Sequence, residues 1–253
     1  MSPDKQGTLY LVPAPLDFGG APQPLGDSMP DHTMVVAASI THWICENAKS
    51  ARAYLKRIGE THPLAATLQE QQITELPREI HKKGDHDGSF DAKPMLLAAR
   101  AGHSIGLLSE AGMPAIADPG ASVVRAAHDM SLQVVPLVGP VSLLLALAAS
   151  GLNGQNFAFV GYLPQDPAQR VLRIRELEAL AIEGQTQIFI ETPYRNAAIW
   201  DALVKTLQPK TRLAIASALT LPTALARCKT TKAWRGETCP APNDVPAVYL
   251  IGK

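Results

Sequence analysis

The chain has 253 residues, 46% of them hydrophobic, which suits one large globular domain or two smaller ones. Lysine plus arginine equals aspartate plus glutamate at 23 each, so no overall basic field draws the chain onto nucleic acid or anionic membranes. Cys45, Cys228 and Cys239 are scattered without C-x-x-C spacing, which is typical of reduced thiols. The N-terminal segment lacks the pattern of a signal peptide, so we expect a cytoplasmic protein.

The first half of the chain alternates short apolar runs with helical patterns. Asn47 is placed to cap the helix that Gly59 ends, and a polar, charged stretch at 77–94 is interpreted as a loop. In chain order, the patterns predict a strand at 8–13, a Pro/Gly-rich loop, a helix at 31–41, a strand at 42–46, a helix at 47–59, a helix at 95–101, a strand at 104–109, a helix at 119–130, a strand at 132–138 and a helix at 140–150.

The stretch 134–152 has no charge and approaches the roughly 20 residues that cross a bilayer. Pro136, Gly139 and Pro140 interrupt it, and Gly151 ends it. It is therefore interpreted as a buried strand followed by a buried helix, not as a membrane span.

The second half begins with alternating elements and ends in consecutive strands. Its patterns predict strands at 156–163, 186–191, 212–217, 224–230 and 247–252, with helices at 168–183 and 195–207. We therefore predict an α/β protein with two α/β domains that have different sheets, residues 1–153 and residues 154–253.

The turn "SEAGMPAIADPG" at 109–120 lies between a buried strand and a helix, a place where α/β proteins often bind ligands. The chain has no phosphate-binding G-x-x-x-x-G-K-[ST] and no G-x-G-x-x-G after its first strand. Leu107 and Ala111 stand where a serine nucleophile elbow at Ser109 requires glycine. The stretch with His81, Asp85, His86 and Asp87 has no frame to fix metal ligands and is interpreted as a solvated loop, so no metal site is predicted.

Four segments together resemble the tetrapyrrole methylase superfamily of S-adenosylmethionine-dependent methyltransferases, and within it the branch of small-subunit ribosomal RNA 2′-O-methyltransferases. They are "GTLYLVPAPL", "GLLSEAGMPAIADPGASVVRAA", "VVPLVGPVSLLLALAASGL" and "FVGYLP" followed by "IFIETPYR". Their order and spacing cover most of the chain. The resemblance implies an S-adenosylmethionine cleft between the two α/β domains and a homodimer.

Carried over position by position, the resemblance implies cofactor contacts from both halves of the chain. Gly112 would let the backbone approach the cofactor. The implied cofactor-binding residues are Glu110, Ala111, Gly112, Met113, Pro114, Val141, Ser142, Glu191, Thr192, Ala218, Leu219 and Pro246. Each has a simpler reading as a turn or packing residue.

Methyl transfer needs a base only if the acceptor must lose a proton. Glu46, Glu191 and Tyr194 are candidates because each follows or ends a strand at the implied cleft, and Arg195 could orient an anionic group of the substrate. The simpler alternative is that Glu46 pairs with Lys49 or Arg52 and that Arg195 forms a structural ion pair.

The chain departs from the ribosomal RNA enzymes at two motifs. It has "CENAKSAR", with Asn47 in place of an aspartate, and "ASALTLPT", with Ser217, Ala218 and Pro222 in place of an arginine, a glutamate and a lysine. These departures leave the acceptor open between an RNA 2′-hydroxyl and a small molecule. They also leave open a different class of function, a sensor that binds S-adenosylmethionine without transferring its methyl group.

Overall fold

The computed structural model describes residues 6–17, 20–83 and 88–253. The chain forms two compact units, Met1–Pro140 and Val141–Lys253. The helix at 142–150, which the sequence analysis places at the end of the first domain, packs on the sheet of the second unit. Its apolar residues find their partners there, which sequence periodicity alone does not reveal.

The first unit contains a five-stranded parallel sheet with the order β3-β2-β4-β1-β5. Parallel sheets are covered on both faces, so their strands are short apolar runs. The strands are β1 Thr8–Val12, β2 His42–Cys45, β3 Gln72–Glu75, β4 Ile105–Leu108 and β5 Gln133–Pro136.

Helices cover both faces of this sheet. Trp43 and Leu55 belong to the apolar cluster on one face, and Leu107 and Val123 belong to the cluster on the other. The helices are α1 Asp31–Ser39, α2 Ala48–Gly59, α3 Arg78–Lys83, α4 Leu97–Arg100 and α5 Ala121–Asp129, with 3₁₀ turns at Leu25–Asp27 and Lys93–Leu96.

Two features of the first unit differ from the sequence-based prediction. The stretch 77–94, predicted as a loop, contains α3 and the start of a 3₁₀ turn. Strand β3 was not predicted, because it is a mostly exposed strand at the edge of the sheet and Ile73 is its only apolar residue. Residues 84–87 of the polar stretch, with Asp85, His86 and Asp87, lie outside the described residues, as do the side chains of 81–83.

The second unit contains a mixed sheet with the order β6-β7-β10-β8-β9, in which only β6 and β7 pair in parallel. Helix α6 packs on one face, and α7 and α8 pack on the other. The elements are α6 Ser142–Ser150, β6 Phe157–Tyr162, α7 Pro167–Ile182, β7 Thr186–Glu191, α8 Asn196–Thr206, β8 Arg212–Ser217, β9 Leu225–Thr230, α9 Thr231–Trp234 and β10 Ala247–Gly252. The predicted pair of different sheets is confirmed.

The uncharged stretch 134–152 is divided between β5 and α6, as predicted. Gly151 adopts φ +71° directly after α6 and ends it. Among the described residues, no helix combines the length and the apolar character that crossing a membrane requires.

Candidate functional site

The carboxyl ends of three adjacent strands in the first unit meet at one edge of the sheet. Register pairs Val12 with Leu108 and Leu108 with Cys45, the last residues of β1, β4 and β2. The segments that begin at Pro13, Ser109 and Glu46 therefore leave from the same edge. Ligands of open α/β sheets bind beyond this edge.

The turn after β4 carries the predicted residues Glu110 to Pro114 and is tied to the segment after β1. Gly112 and Ala14 exchange two backbone hydrogen bonds, of 2.8 and 2.9 Å. Ser109 Oγ donates to the Gly112 carbonyl oxygen at 3.0 Å. Gly112 has φ +76°, and a Cβ there would lie 3.2 Å from Leu16 Cδ2. The turn therefore requires glycine for both conformation and space.

The following residues of the turn are in a conformation that side chains disfavour. Ala115 and Ala117 have φ of 64° and 63°. Left-handed backbone at residues other than glycine is uncommon, and it concentrates at functional sites. This strain makes the turn between β4 and α5 a candidate functional segment.

Three carboxylates surround the turn. Burial, and then the negative charges of Glu46 and Glu110, raise the pKa of Asp118 to about 7. Glu110 is exposed and accepts a hydrogen bond from Ser50 Oγ at 2.8 Å. The electrostatic environment of the turn is therefore negative and suits a cationic ligand.

Helix α2 holds Ser50 in place. Asn47 Oδ1 accepts from the backbone N–H groups of Lys49 and Ser50 at 2.9 and 3.1 Å, so the predicted N-cap is confirmed. Because α2 follows β2 directly, its first turn lies at the carboxyl edge of the sheet.

A groove of about 550 Å³ also borders the turn. Met113 and Pro114 line it together with Val124 of α5 and the paired Leu11 and Pro136. Its size is in the range of about 300–1,000 Å³ that is usual for small-molecule sites. Two of the predicted cofactor residues thus face a cavity within the first unit.

In the second unit, four predicted residues lie at one edge of the mixed sheet. Register places Ala247 between Glu191 and Ser217, so Thr192, Ala218 and Pro246 adjoin the same edge. Ala218 is buried and has φ of 52°. Ser217 is 3% exposed, and its Oγ has no hydrogen-bond partner among the described residues. A buried hydroxyl without a partner is costly, so this atom is suited to bind a ligand.

Glu191 is occupied by neighbours within its own segment. Its Oε1 accepts from the Thr192 N–H at 2.8 Å and from Thr192 Oγ1 at 3.1 Å. Its Oε2 lies 3.2 Å from Arg195 Nη2. Arg195 therefore forms an ion pair with a carboxylate that is 2% exposed. The geometry favours the structural alternative for Arg195.

The remaining predicted residues have different environments. Val141 caps α6 and packs, like Leu219, against the apolar cluster between α6 and the second sheet, and Ser142 opens α6. Tyr194 is 86% exposed on the turn before α8. Glu46 is half-buried directly after β2. The described residues contain no group of three side chains suited to hold a metal.

Sequence reasoning did not single out Asp118 or Ser50, and it named Ser217 only as a departure from the ribosomal RNA enzymes. Asp118 precedes Pro119 and Gly120, a context that ordinarily indicates a turn residue. Of its charged neighbours, Glu110 lies in the same turn but Glu46 follows β2, so the local sequence alone carries no signal of the raised pKa of Asp118.

The chain is similar to proteins of known type. The family model described as tetrapyrrole (corrin/porphyrin) methylases matches residues 33–232. Ribosomal RNA small subunit methyltransferase I of Mesorhizobium japonicum is 36% identical over 70% of this chain and 53% of that protein. The protein of the same name from Xylella fastidiosa is 32% identical over 76% of this chain and 60% of that protein. The chain thus spans less than two thirds of either relative.

A solved structure shares the fold. The crystal structure of the methyltransferase CobJ matches with a TM-score of 0.58 at 16% identity, over 98% of this chain and 94% of that one. At this identity the likeness shows the fold alone.

Proposed function

The chain belongs to the tetrapyrrole (corrin/porphyrin) methylase family, and from this premise we propose that it transfers the methyl group of S-adenosylmethionine to RNA. The observation that carries the proposal is the turn after β4, in which Gly112, the strained Ala115 and Ala117, and three carboxylates meet at the carboxyl edge of a parallel sheet.

The residues at this edge fit the cofactor. S-adenosylmethionine carries positive charge on its sulfonium and its ammonium groups, Glu46 and Glu110 supply negative charge, and Asp118 adds to it when its carboxyl group is deprotonated. Gly112 gives the turn its left-handed conformation, which fixes the backbone that we propose to approach the cofactor. In the second unit, the unpaired Ser217 Oγ would gain a partner. We propose the turn after β4 as a cofactor-binding segment of the first unit, and Ser217 with the predicted residues around it as ligand-binding residues of the second unit.

When bound, the cofactor supplies an activated methyl carbon for an in-line displacement. The contribution of the protein is to align the acceptor oxygen with that carbon and to exclude water. Glu46 lies half-buried directly after β2 at the carboxyl edge of the sheet, and it is the carboxylate that we propose to accept a proton from an acceptor hydroxyl.

A stripe of cations supports RNA as the acceptor. Lys49, Arg52 and Lys56 are exposed along α2, and none forms an ion pair with another described residue. Their spacing of three and four residues puts them on one helix face, which begins at the edge with Glu46. Arg57 does not contribute, because it pairs with Asp17 at 2.6 Å. The two relatives are named as ribosomal RNA methyltransferases, which also supports RNA as the acceptor. The homodimer and the cytoplasmic location remain predictions of the family resemblance.

The test is methylation with labelled S-adenosylmethionine against small-subunit ribosomal RNA and against a metabolite fraction of the source cell. We expect label in RNA and formation of S-adenosylhomocysteine. Label in metabolites alone would replace RNA by a small molecule, and binding without any turnover would establish the sensor function instead.

The variant with Lys49, Arg52 and Lys56 all changed to glutamine sharpens this test. Loss of three phosphate contacts should reduce the slope of log affinity for single-stranded RNA against log salt by about 2. Arg100→Gln is the control. Arg100 is also an exposed cation, but it lies at the opposite, amino edge of the same sheet, where the neighbouring Ala99 carbonyl oxygen accepts a hydrogen bond from the Gly7 N–H. An unchanged slope in the triple variant would contradict a phosphate-binding role for α2.

A further inference from the structure

The turn 192–195 holds an aromatic side chain outward in a backbone conformation that this residue type avoids. Tyr194 has φ +71° and is 86% exposed. Left-handed backbone is energetically unfavourable for a bulky residue, and burial of the ring gives no compensation here. A glycine at this position would avoid the strain, so the exposed ring indicates a functional role and not a structural one.

The surrounding contacts force this conformation. The Tyr194 N–H donates to the Asn243 carbonyl oxygen at 2.8 Å. Asn196 Nδ2 donates to the carbonyl oxygens of Pro242 and Val245 at 2.8 and 2.9 Å. Beneath the turn, Glu191 binds Thr192 and Arg195 as described above. Strain that is fixed by so many neighbours is typical of functional sites.

The segment around the ring is neutral and presents a flat aromatic face. Arg195 offsets the charge of Glu191, so the segment 191–195 has no net charge. A tyrosine ring presented in this way gives a base a face on which to stack, as in proteins that bind single-stranded nucleic acid. The adjoining Thr192 and Pro246 are predicted cofactor residues, which places the ring beside the proposed site within this unit.

We infer that Tyr194 is a stacking residue that positions an unpaired base of the RNA acceptor, and that the Glu191–Arg195 ion pair holds the turn which presents it. This inference rests on the proposed function and narrows it. It gives the ring of Tyr194, and not its hydroxyl, the decisive role, so Tyr194 is a positioning residue and not the base of the reaction.

The experiment compares binding of two single-stranded probes to the full chain, an oligoadenylate of twelve nucleotides and an abasic oligomer of the same length. Stacking contributes to binding of the first probe only. We expect Tyr194→Leu to weaken oligoadenylate binding about fivefold or more and to leave the abasic probe unaffected. Tyr194→Phe should bind as the wild type does. Equal affinity of wild type and Tyr194→Leu for oligoadenylate would overturn the inference, as would loss of binding in Tyr194→Phe.

Tyr194→Gly separates this role from a structural one. Removing the left-handed strain should raise the melting temperature while oligoadenylate affinity falls. A lower melting temperature with unchanged affinity would assign Tyr194 to the fold. Methylation by the wild type tests the proposed function separately. If the wild type methylates RNA and Tyr194→Leu does so with unchanged kcat/KM, the stacking role alone fails.

Discussion

The two sheet edges contain the same residue type in opposite environments. In the first unit, Glu110 is exposed and receives one side-chain hydrogen bond, from Ser50. In the second, Glu191 is 2% exposed and is engaged by Thr192 and Arg195. A buried carboxylate must be satisfied by its neighbours, so it organises backbone. Carboxylates whose charges are not balanced locally are the ones available to a cationic ligand.

The largest effect on cofactor affinity is expected from Gly112→Val. The new side chain would meet Leu16 and would be strained at φ +76°. Overpacking should cost about 1–3 kcal/mol of unfolding free energy, and the displacement of a cofactor-binding turn should lower cofactor affinity by about tenfold or more. Calorimetric titration with S-adenosylmethionine measures this change.

Gly151→Val is the matched control for this change. Gly151 has φ +71°, but a Cβ there meets nothing within 4 Å. Its strain should lower the melting temperature and leave cofactor affinity unchanged. If both variants bind as the wild type does, the turn after β4 is only a connection.

The next effect concerns Asp118, whose pKa is about 7 in the folded protein against about 4 in the unfolded chain. Between these values the folded state binds the extra proton, so the free energy of unfolding falls as pH rises from about 4 to about 7 and is then level. Asp118→Asn should remove a fall on the order of 4 kcal/mol, since about three pKa units at about 1.4 kcal/mol each separate the two states, and urea unfolding across this range measures it.

Glu110→Gln tests the cause of the altered pKa. Removing one neighbouring negative charge should lower the pKa of Asp118 and shift the fall to lower pH. Binding of a cation should also lower this pKa, so S-adenosylmethionine should release protons near pH 7 and the uncharged thioether product should release fewer. Calorimetry in two buffers of different ionisation enthalpy counts these protons, and equal release by both ligands would contradict the electrostatic role.

The smallest expected effect is the difference in unfolding free energy between Glu191→Gln and Glu110→Gln. Glu191→Gln leaves Arg195 without its anionic partner and should cost about 1.5 kcal/mol of unfolding free energy, since a mostly buried polar group left without its partner costs about 1–3 kcal/mol. Glu110→Gln at an exposed site should change it by less than about 0.5 kcal/mol. Denaturant unfolding of both variants gives the comparison, and equal losses would show that burial does not distinguish the two residues.

Much of each unit could be predicted from local patterns. The strands at 186–191, 212–217 and 247–252 have the predicted bounds, because long buried strands are continuous apolar runs with clear ends. Strand β3 and helix α3 were missed, because mostly polar segments have weak periodicity. The predicted site residues were found at two sheet edges because parallel and adjacent strands bring the residues after them together.

The sequence by itself determined the two α/β units, the glycine-dependent turn after β4 and the family resemblance, because these depend on local conformation and on the order of short motifs. Only the tertiary structure decided which charged groups are paired and which have a shifted pKa. The pKa of Asp118 is raised because the fold buries it and brings Glu46, which follows β2, together with Glu110 of its own turn, and Arg195 is paired because Glu191 is buried beneath its turn. Burial and the distance between charges set these energies, and both arise only when the sheets have formed.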